Sequence, residues 1–266
     1  MQIIDTHCHV SNRWYEPAES LLFEMDQHGV QHALLVQIGG EYDNSYQAQC
    51  VAAYPERLSS IVLVDVAQAD APDKLAAEAA RGAVGVRLSA QARSPGPDPL
   101  AIWRKAQELG LPVSCQGRPQ EFATADFASL VESLPELPII IEHLGNVKHD
   151  NNPEPPYALA QQVFDLARFP NVYMKIHGLG EFAVRHLPVT AYPFHQPIPP
   201  FLEMVYDAFG PARMMWGSDY PPVSGREGYR NALQLTLAQF GDKARSDVEQ
   251  IFAGCARSLF PTFVKT

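Results

Sequence analysis

Apolar and β-branched residues gather along the chain in eight short runs: Ile3–Ile4, Ala33–Gln37, Ile61–Asp65, Val84–Leu88, Pro112–Gln116, Ile139–His143, Val172–Ile176 and Met214–Asp219. Between them lie segments whose apolar positions recur with helical spacing, among them Ser20–His28, Pro72–Arg81, Leu100–Leu109, Phe127–Leu134 and Ala158–Arg168. Several of the short runs are apolar throughout, as strands covered on both faces should be. Strands alternating with helices of about 10–15 residues predict βαβ units and a parallel sheet. Eight units in about 250 residues predict an α/β fold, a (β/α)8 TIM barrel. Gly29, Gly110 and Gly210 follow helical segments where a left-handed residue is wanted to close the last turn. No linker, repeat or low-complexity tract divides the chain, so residues 1–266 are expected to form one domain.

Two insertions break the rhythm. Residues 146–156 follow the sixth run, and residues 178–200, rich in Pro and His, follow the seventh. Both fall on strand-to-helix connections, which a barrel places at its C-terminal rim, and both are candidate lids or substrate walls.

Composition narrows the function classes. The 266 residues carry Lys+Arg 20 against Asp+Glu 30, a formal net charge of −10, with 46% hydrophobic and 19% charged residues. That is a globular mix, and its acidity argues against nucleic-acid and anionic-membrane partners. A small-molecule substrate is the expected partner, and the exposed helical shell of a barrel leaves room for a homo-oligomer. Cys8, Cys50, Cys115 and Cys255 show no C-x-x-C spacing and are too sparse for a disulfide framework. With no signal-peptide pattern at Met1–Asp5 and no run of 18 apolar residues, the expected location is the cytoplasm. No phosphate loop, dinucleotide fingerprint or serine elbow is present, so no nucleotide or dinucleotide cofactor is expected.

The candidate chemistry lies at the strand ends. In Asp5-Thr6-His7-Cys8-His9, side chains two apart share a face, so His7 and His9 project together with Asp5 one layer deeper, and Cys8 turns toward the helices. The sixth run puts Ile139, Ile141 and His143 on one face, and Asp219 holds the last inward position of the eighth. Parallel barrel strands bring these ends to one mouth. Three imidazoles and a carboxylate there suit activation of water, stabilisation of an oxyanion, or binding of a divalent metal.

The Asp-Thr-His-x-His start, Gly85–Leu88, Glu142–Gly145, Val172–Lys175 and the Trp-Gly-Ser-Asp-Tyr-Pro stretch at 216–221 together resemble the amidohydrolase-related family, in order and over essentially the whole chain. That branch holds 2-pyrone-4,6-dicarboxylate lactonase, sugar lactonases and the carboxymuconate-semialdehyde decarboxylases. The resemblance implies a (β/α)8 barrel in which Asp219 takes the proton of an attacking water. His7, His9 and His143 would then act on the substrate carbonyl or on a metal. The zinc-dependent branches end strand five in histidine where this chain has Gln116, a poor zinc ligand. Binuclear members carry a lysine on strand four where Arg87 stands, which argues against two metals. The lactonase arginine three residues after the strand-six histidine is Asn146 here, and a serine after the strand-seven lysine becomes His177.

These features predict a hydrolase that opens a lactone or related cyclic ester, with Asp219, His143, His7 and His9 as the catalytic group. Arg87, Gln116, Gln37, Arg118 and His177 are the candidate substrate contacts. A divalent metal, Zn or Mn, would sit on His7, His9 and Asp219. Two alternatives stay open: a metal-dependent, non-oxidative decarboxylase of an unsaturated or aromatic carboxylate, and a barrel that binds a small ligand without catalysis.

Overall fold

The computed structural model describes residues 1–264. Eight strands run in parallel: β1 (Ile4–Cys8), β2 (His32–Val36), β3 (Leu58–Val62), β4 (Gly85–Ser89), β5 (Val113–Gln116), β6 (Ile139–Ile141), β7 (Val172–Ile176) and β8 (Met214–Trp216). Their order around the sheet is their order in the chain. Beyond the end of β8 the ring draws shut on β1: Asp219 donates its N–H to His7 O (2.8 Å), and His9 donates to Tyr220 O (2.7 Å). Helices including Ala18–His28, Ser45–Ala53, Ala71–Ala80, Ala101–Glu108, Ala125–Ser133, Ala158–Phe164, Phe201–Phe209 and Tyr229–Gln239 alternate with the strands. This is a (β/α)8 TIM barrel. No described helix is long and apolar enough to cross a membrane.

Local chemistry accounts for the helix limits. Pro72 opens the Ala-rich helix Ala71–Ala80, where its missing N–H costs nothing. The Thr124 hydroxyl accepts from Phe127 N (3.2 Å) and caps Ala125–Ser133. Gly29 closes the first helix in the left-handed region (φ 68°, ψ 30°), its N–H returning to Met25 O. Gly210 departs from that expectation. Its φ is 68° but its ψ is 162°, so it turns the chain out of the helix rather than winding a left-handed cap.

The core has two layers. Inside the barrel Ile4, Leu34, Val36, Ile61, Ile140 and Met215 pack with Cys255, Ala256 and Phe260 of the C-terminal segment. Outside it, residues of opposite parity such as Cys8, Val113, Ile139, Ile141 and Trp216 meet the helices.

Two register details decide what reaches the mouth. Ile140 faces inward while Ile139 and Ile141 face the helices, which corrects the expected face of β6: it is Glu142, not His143, that continues the inward row. In β1 the pairing to β2 slips between Asp5 and Cys8, a bulge that reverses the alternation. Ile4 therefore points into the barrel, and so does His7. Asp5 does not lie beneath the histidines. It turns outward, accepting from Ser218 N (2.8 Å) and the Tyr229 hydroxyl (2.9 Å). Gly217 makes the bulge possible, because a Cβ there would lie 2.6 Å from His7 Cβ and 2.8 Å from His7 N.

Candidate active site

At the C-terminal mouth Asp219 lies among three imidazoles. Its Oδ1 is 3.5 Å from His9 Nε2, 3.8 Å from His7 Nε2 and 4.0 Å from His143 Nε2. Its Oδ2 accepts from Arg226 Nη1 at 2.8 Å. Both Asp219 (φ 58°) and His143 (φ 53°) hold left-handed backbone, which a residue bearing a Cβ adopts at a cost of about 1–3 kcal/mol. That strain turns His143 back over the mouth although strand parity alone would point it outward.

Hydrogen bonds set the proton on two of the rings. His9 Nδ1 lies 2.7 Å from Val36 O, which can only accept, so Nδ1 carries a proton and Nε2 is the nitrogen that faces Asp219. His7 Nδ1 lies 3.2 Å from Lys175 Nζ. While the lysine is charged it donates there, so the His7 proton resides on Nε2 and faces Asp219. Burial, with Lys175 beside it, pushes the His7 pKa well down and keeps the ring neutral. His177 stacks on His143 with centroids 4.1 Å apart and an interplanar angle of 14°, and neither of its buried nitrogens has a hydrogen-bond partner. Burial and the neighbouring His143 likewise favour its neutral form.

His143 behaves oppositely. Burial opposes its charge, but Glu181, whose Oε1 is 3.6 Å from Nδ1, together with Asp219 outweighs this and raises its pKa. For Asp219 burial again opposes ionisation. The bond from His9 and the charges of His143 and Arg226 prevail and hold the carboxyl well below its usual range.

Beneath these groups lies a second buried layer that the sequence reading did not anticipate. Glu142 is fully buried and takes both guanidinium edges of Arg87, Nη2 to Oε2 at 2.8 Å and Nε to Oε1 at 3.1 Å. Ser114 also donates to it (2.7 Å). Burial raises the cost of its charge, yet Arg87 and Lys175 draw its pKa to about 2. Lys175, fully buried, bonds Ser114 and His7; burial lowers its pKa to about 8 against the opposing pull of Glu142.

The sequence-derived candidates therefore divide. His7, His9, His143 and Asp219 meet at the mouth, and His177 joins them. Arg87 is committed to Glu142 and to Gln37 O (2.9 Å) rather than free for a ligand. The Gln37 side chain turns away to Asp43 O and Asn44. Arg118 is 75% exposed and paired with Glu121 on the surface, outside the cluster. Gln116, half-buried at the end of β5, shares the parity of Ser114. Glu181 and Arg226, which touch the central groups, stand in connecting segments where no periodicity announces them.

The donors fit a divalent cation in the state in which Lys175 is neutral and the His7 proton sits on Nδ1, which frees Nε2 as a ligand. Single ligand atoms of His7, His9 and Asp219 lie within 4.8 Å of one another, as do those of His143, Glu181 and Asp219. The buried Nε2 of His7 and Nδ1 of His143 have no hydrogen-bond partner. Two imidazoles and one carboxylate form a typical donor set for catalytic zinc.

The family model for amidohydrolases matches residues 4–262. The chain belongs to the amidohydrolase family. It is accordingly an enzyme of the amidohydrolase superfamily. None of the curated proteins matches it significantly. Among solved structures it is similar to a putative 2-pyrone-4,6-dicarboxylic acid hydrolase from Pseudomonas putida, with 22% identity, 98% of each chain covered and a TM-score of 0.73. An amidohydrolase from Burkholderia multivorans with bound zinc shares 17% identity over 98% of this chain and 99% of that one, with a TM-score of 0.77. The 5-carboxyvanillate decarboxylase of Sphingomonas paucimobilis shares 15% over 98% and 99%, with a TM-score of 0.61. At these identities the likeness establishes the common barrel.

Proposed function

We propose that this amidohydrolase hydrolyses a lactone or related cyclic ester, acting on a small molecule at the mouth formed by His7, His9, His143 and Asp219. One observation carries the reading. The two oxygens of Asp219 are differentiated: Oδ2 is tied to Arg226, and Oδ1 faces three imidazoles at 3.5 to 4.0 Å. A water on Oδ1 gives its proton to that oxygen as it attacks the substrate carbonyl. The depressed pKa of Asp219 costs basicity but keeps the carboxylate ionised over the physiological range. His7 Nε2–H, fixed as a donor by Lys175, and the readily protonated His143 face the oxygen on which negative charge develops. Each fixed donor of this kind contributes about 3–4 kcal/mol to the transition state. Asp219 then returns its proton to the departing alkoxide, and the ring opens to a hydroxy acid.

His7, His9 and Asp219 would hold a divalent cation if one is used, and it would supply Lewis-acid polarisation of the carbonyl. The zinc in the Burkholderia multivorans relative supports that option. The test is a screen of sugar and muconate-type lactones with pH-indicator detection, with and without chelator, against Asp219→Asn as control. Acid release by the wild type alone supports the reading. Carbon dioxide release from an unsaturated or aromatic carboxylate, with no lactone opened, overturns it in favour of decarboxylation.

A further inference from the structure

Arg226 Nη1 lies 2.7 Å from Glu181 Oε1 and 2.8 Å from Asp219 Oδ2, directly between two carboxylates that both adjoin His143. Without the guanidinium, His143, Glu181 and Asp219 would form a metal-ligand set, their donor atoms within 4.8 Å of one another. That set shares Asp219 with the set of His7, His9 and Asp219. Two donor groups joined by one carboxylate are the arrangement of a two-cation site, in which the ions stand about 3.5–4 Å apart. Here Arg226 Nη1 bonds two of the three members of the second set.

We infer that the guanidinium of Arg226 is a built-in replacement for a second cation, so that the mouth accepts at most one divalent ion. The electrostatics agree. Glu181 is mostly buried, and despite that burial His143 and Arg226 hold it ionised below its usual range. Arg226 is itself stabilised in its charged form by Glu181 and Asp219 against the burial that opposes it. A guanidinium does not lose its proton under biological conditions, so it stays in place where a metal would exchange. It also ties up Asp219 Oδ2 and leaves Oδ1 as the oxygen that faces the imidazoles. The absence of a bridging lysine on β4 is thus not what limits the metal count: the limit lies in the segment after β8.

The inference concerns ion stoichiometry and does not depend on which reaction the mouth performs. Wild-type protein dialysed against zinc or manganese and measured by plasma mass spectrometry is expected to retain no more than one equivalent per chain. Arg226→Met is expected to retain one equivalent more than the wild type. The double variant Arg226→Met/Glu181→Gln should return to the wild-type count, whereas Glu181→Gln alone should not change it. Arg226→Gln serves the same purpose if the methionine variant does not fold. Two equivalents in the wild type, an unchanged count in the Arg226 variants, an added equivalent that survives loss of Glu181, or loss of the wild-type ion in Glu181→Gln alone would each overturn the inference.

Discussion

Lys175 Nζ lies 3.2 Å from His7 Nδ1, so a buried ammonium determines which nitrogen of the imidazole faces Asp219. The pairing makes the state of His7 depend on a group with a pKa of about 8. Below that pH the lysine donates and His7 presents Nε2–H to the mouth; above it the constraint is released. The kcat/KM profile is expected to fall above about pH 8, and Lys175→Met should lower the rate and lose that limb.

The same group has a stability signature. Its folded pKa, about 8, lies below the usual 10.5, so between these values the unfolded chain binds a proton that the folded chain does not. Stability from this source therefore rises with pH across that window, by on the order of 3 kcal/mol. Urea unfolding of wild type and Lys175→Met at pH 7.5 and pH 10 should show the wild type gaining on the variant.

Asp219→Asn is the sharpest test of the base. Asparagine tolerates left-handed backbone, so the φ of 58° should survive and the variant should fold. Turnover is expected to drop by at least about 10²–10⁴-fold, with a melting temperature close to that of the wild type.

Arg87 and Arg118 should separate cleanly. Arg87→Met leaves Glu142 buried without its partner and is expected to cost about 3–5 kcal/mol in denaturant titration. The stabilisation from Glu142 is present above its unfolded pKa of 4.5 and is lost as pH falls through about 2, so the penalty of Arg87→Met should shrink in acid. Arg118→Ala, at a 75% exposed site, should stay within about 0.5 kcal/mol and leave KM unchanged.

Glu181 should be readable through His143. Because Glu181 raises the His143 pKa, Glu181→Gln is expected to lower it, visible as an acid-ward shift in a histidine titration followed by NMR. An unmoved titration would remove Glu181 from the His143 environment.

The barrel was legible because strand runs and helix spacings repeat eight times, and small boundary errors do not alter a repeated pattern. The seventh run, Val172–Ile176, coincides with the strand observed. Errors arose where a strand departs from strict alternation. The bulge in β1 sent Asp5 outward, and the short β6 placed Glu142 inward and left His143 to be delivered by a left-handed turn. Arg226, Glu181 and Glu227 lie in connecting segments, where position depends on long-range packing that no local pattern encodes. Arg87 stood out as a cation at a strand end, but the carboxylate that claims it is 55 residues away.

Glu227 is buried against the start of the connection after β7, where its carboxylate accepts from Gly180 N (3.1 Å) and where a Cβ on Gly178 or Gly180 would run into it. The root of that connection is thereby anchored one residue before Glu181, while its tip carries the exposed Leu187 and Val189. Phe194 fixes the segment a second time by packing into the main core, so only the exposed tip between these two points can be exchanged without disturbing the proton-handling groups.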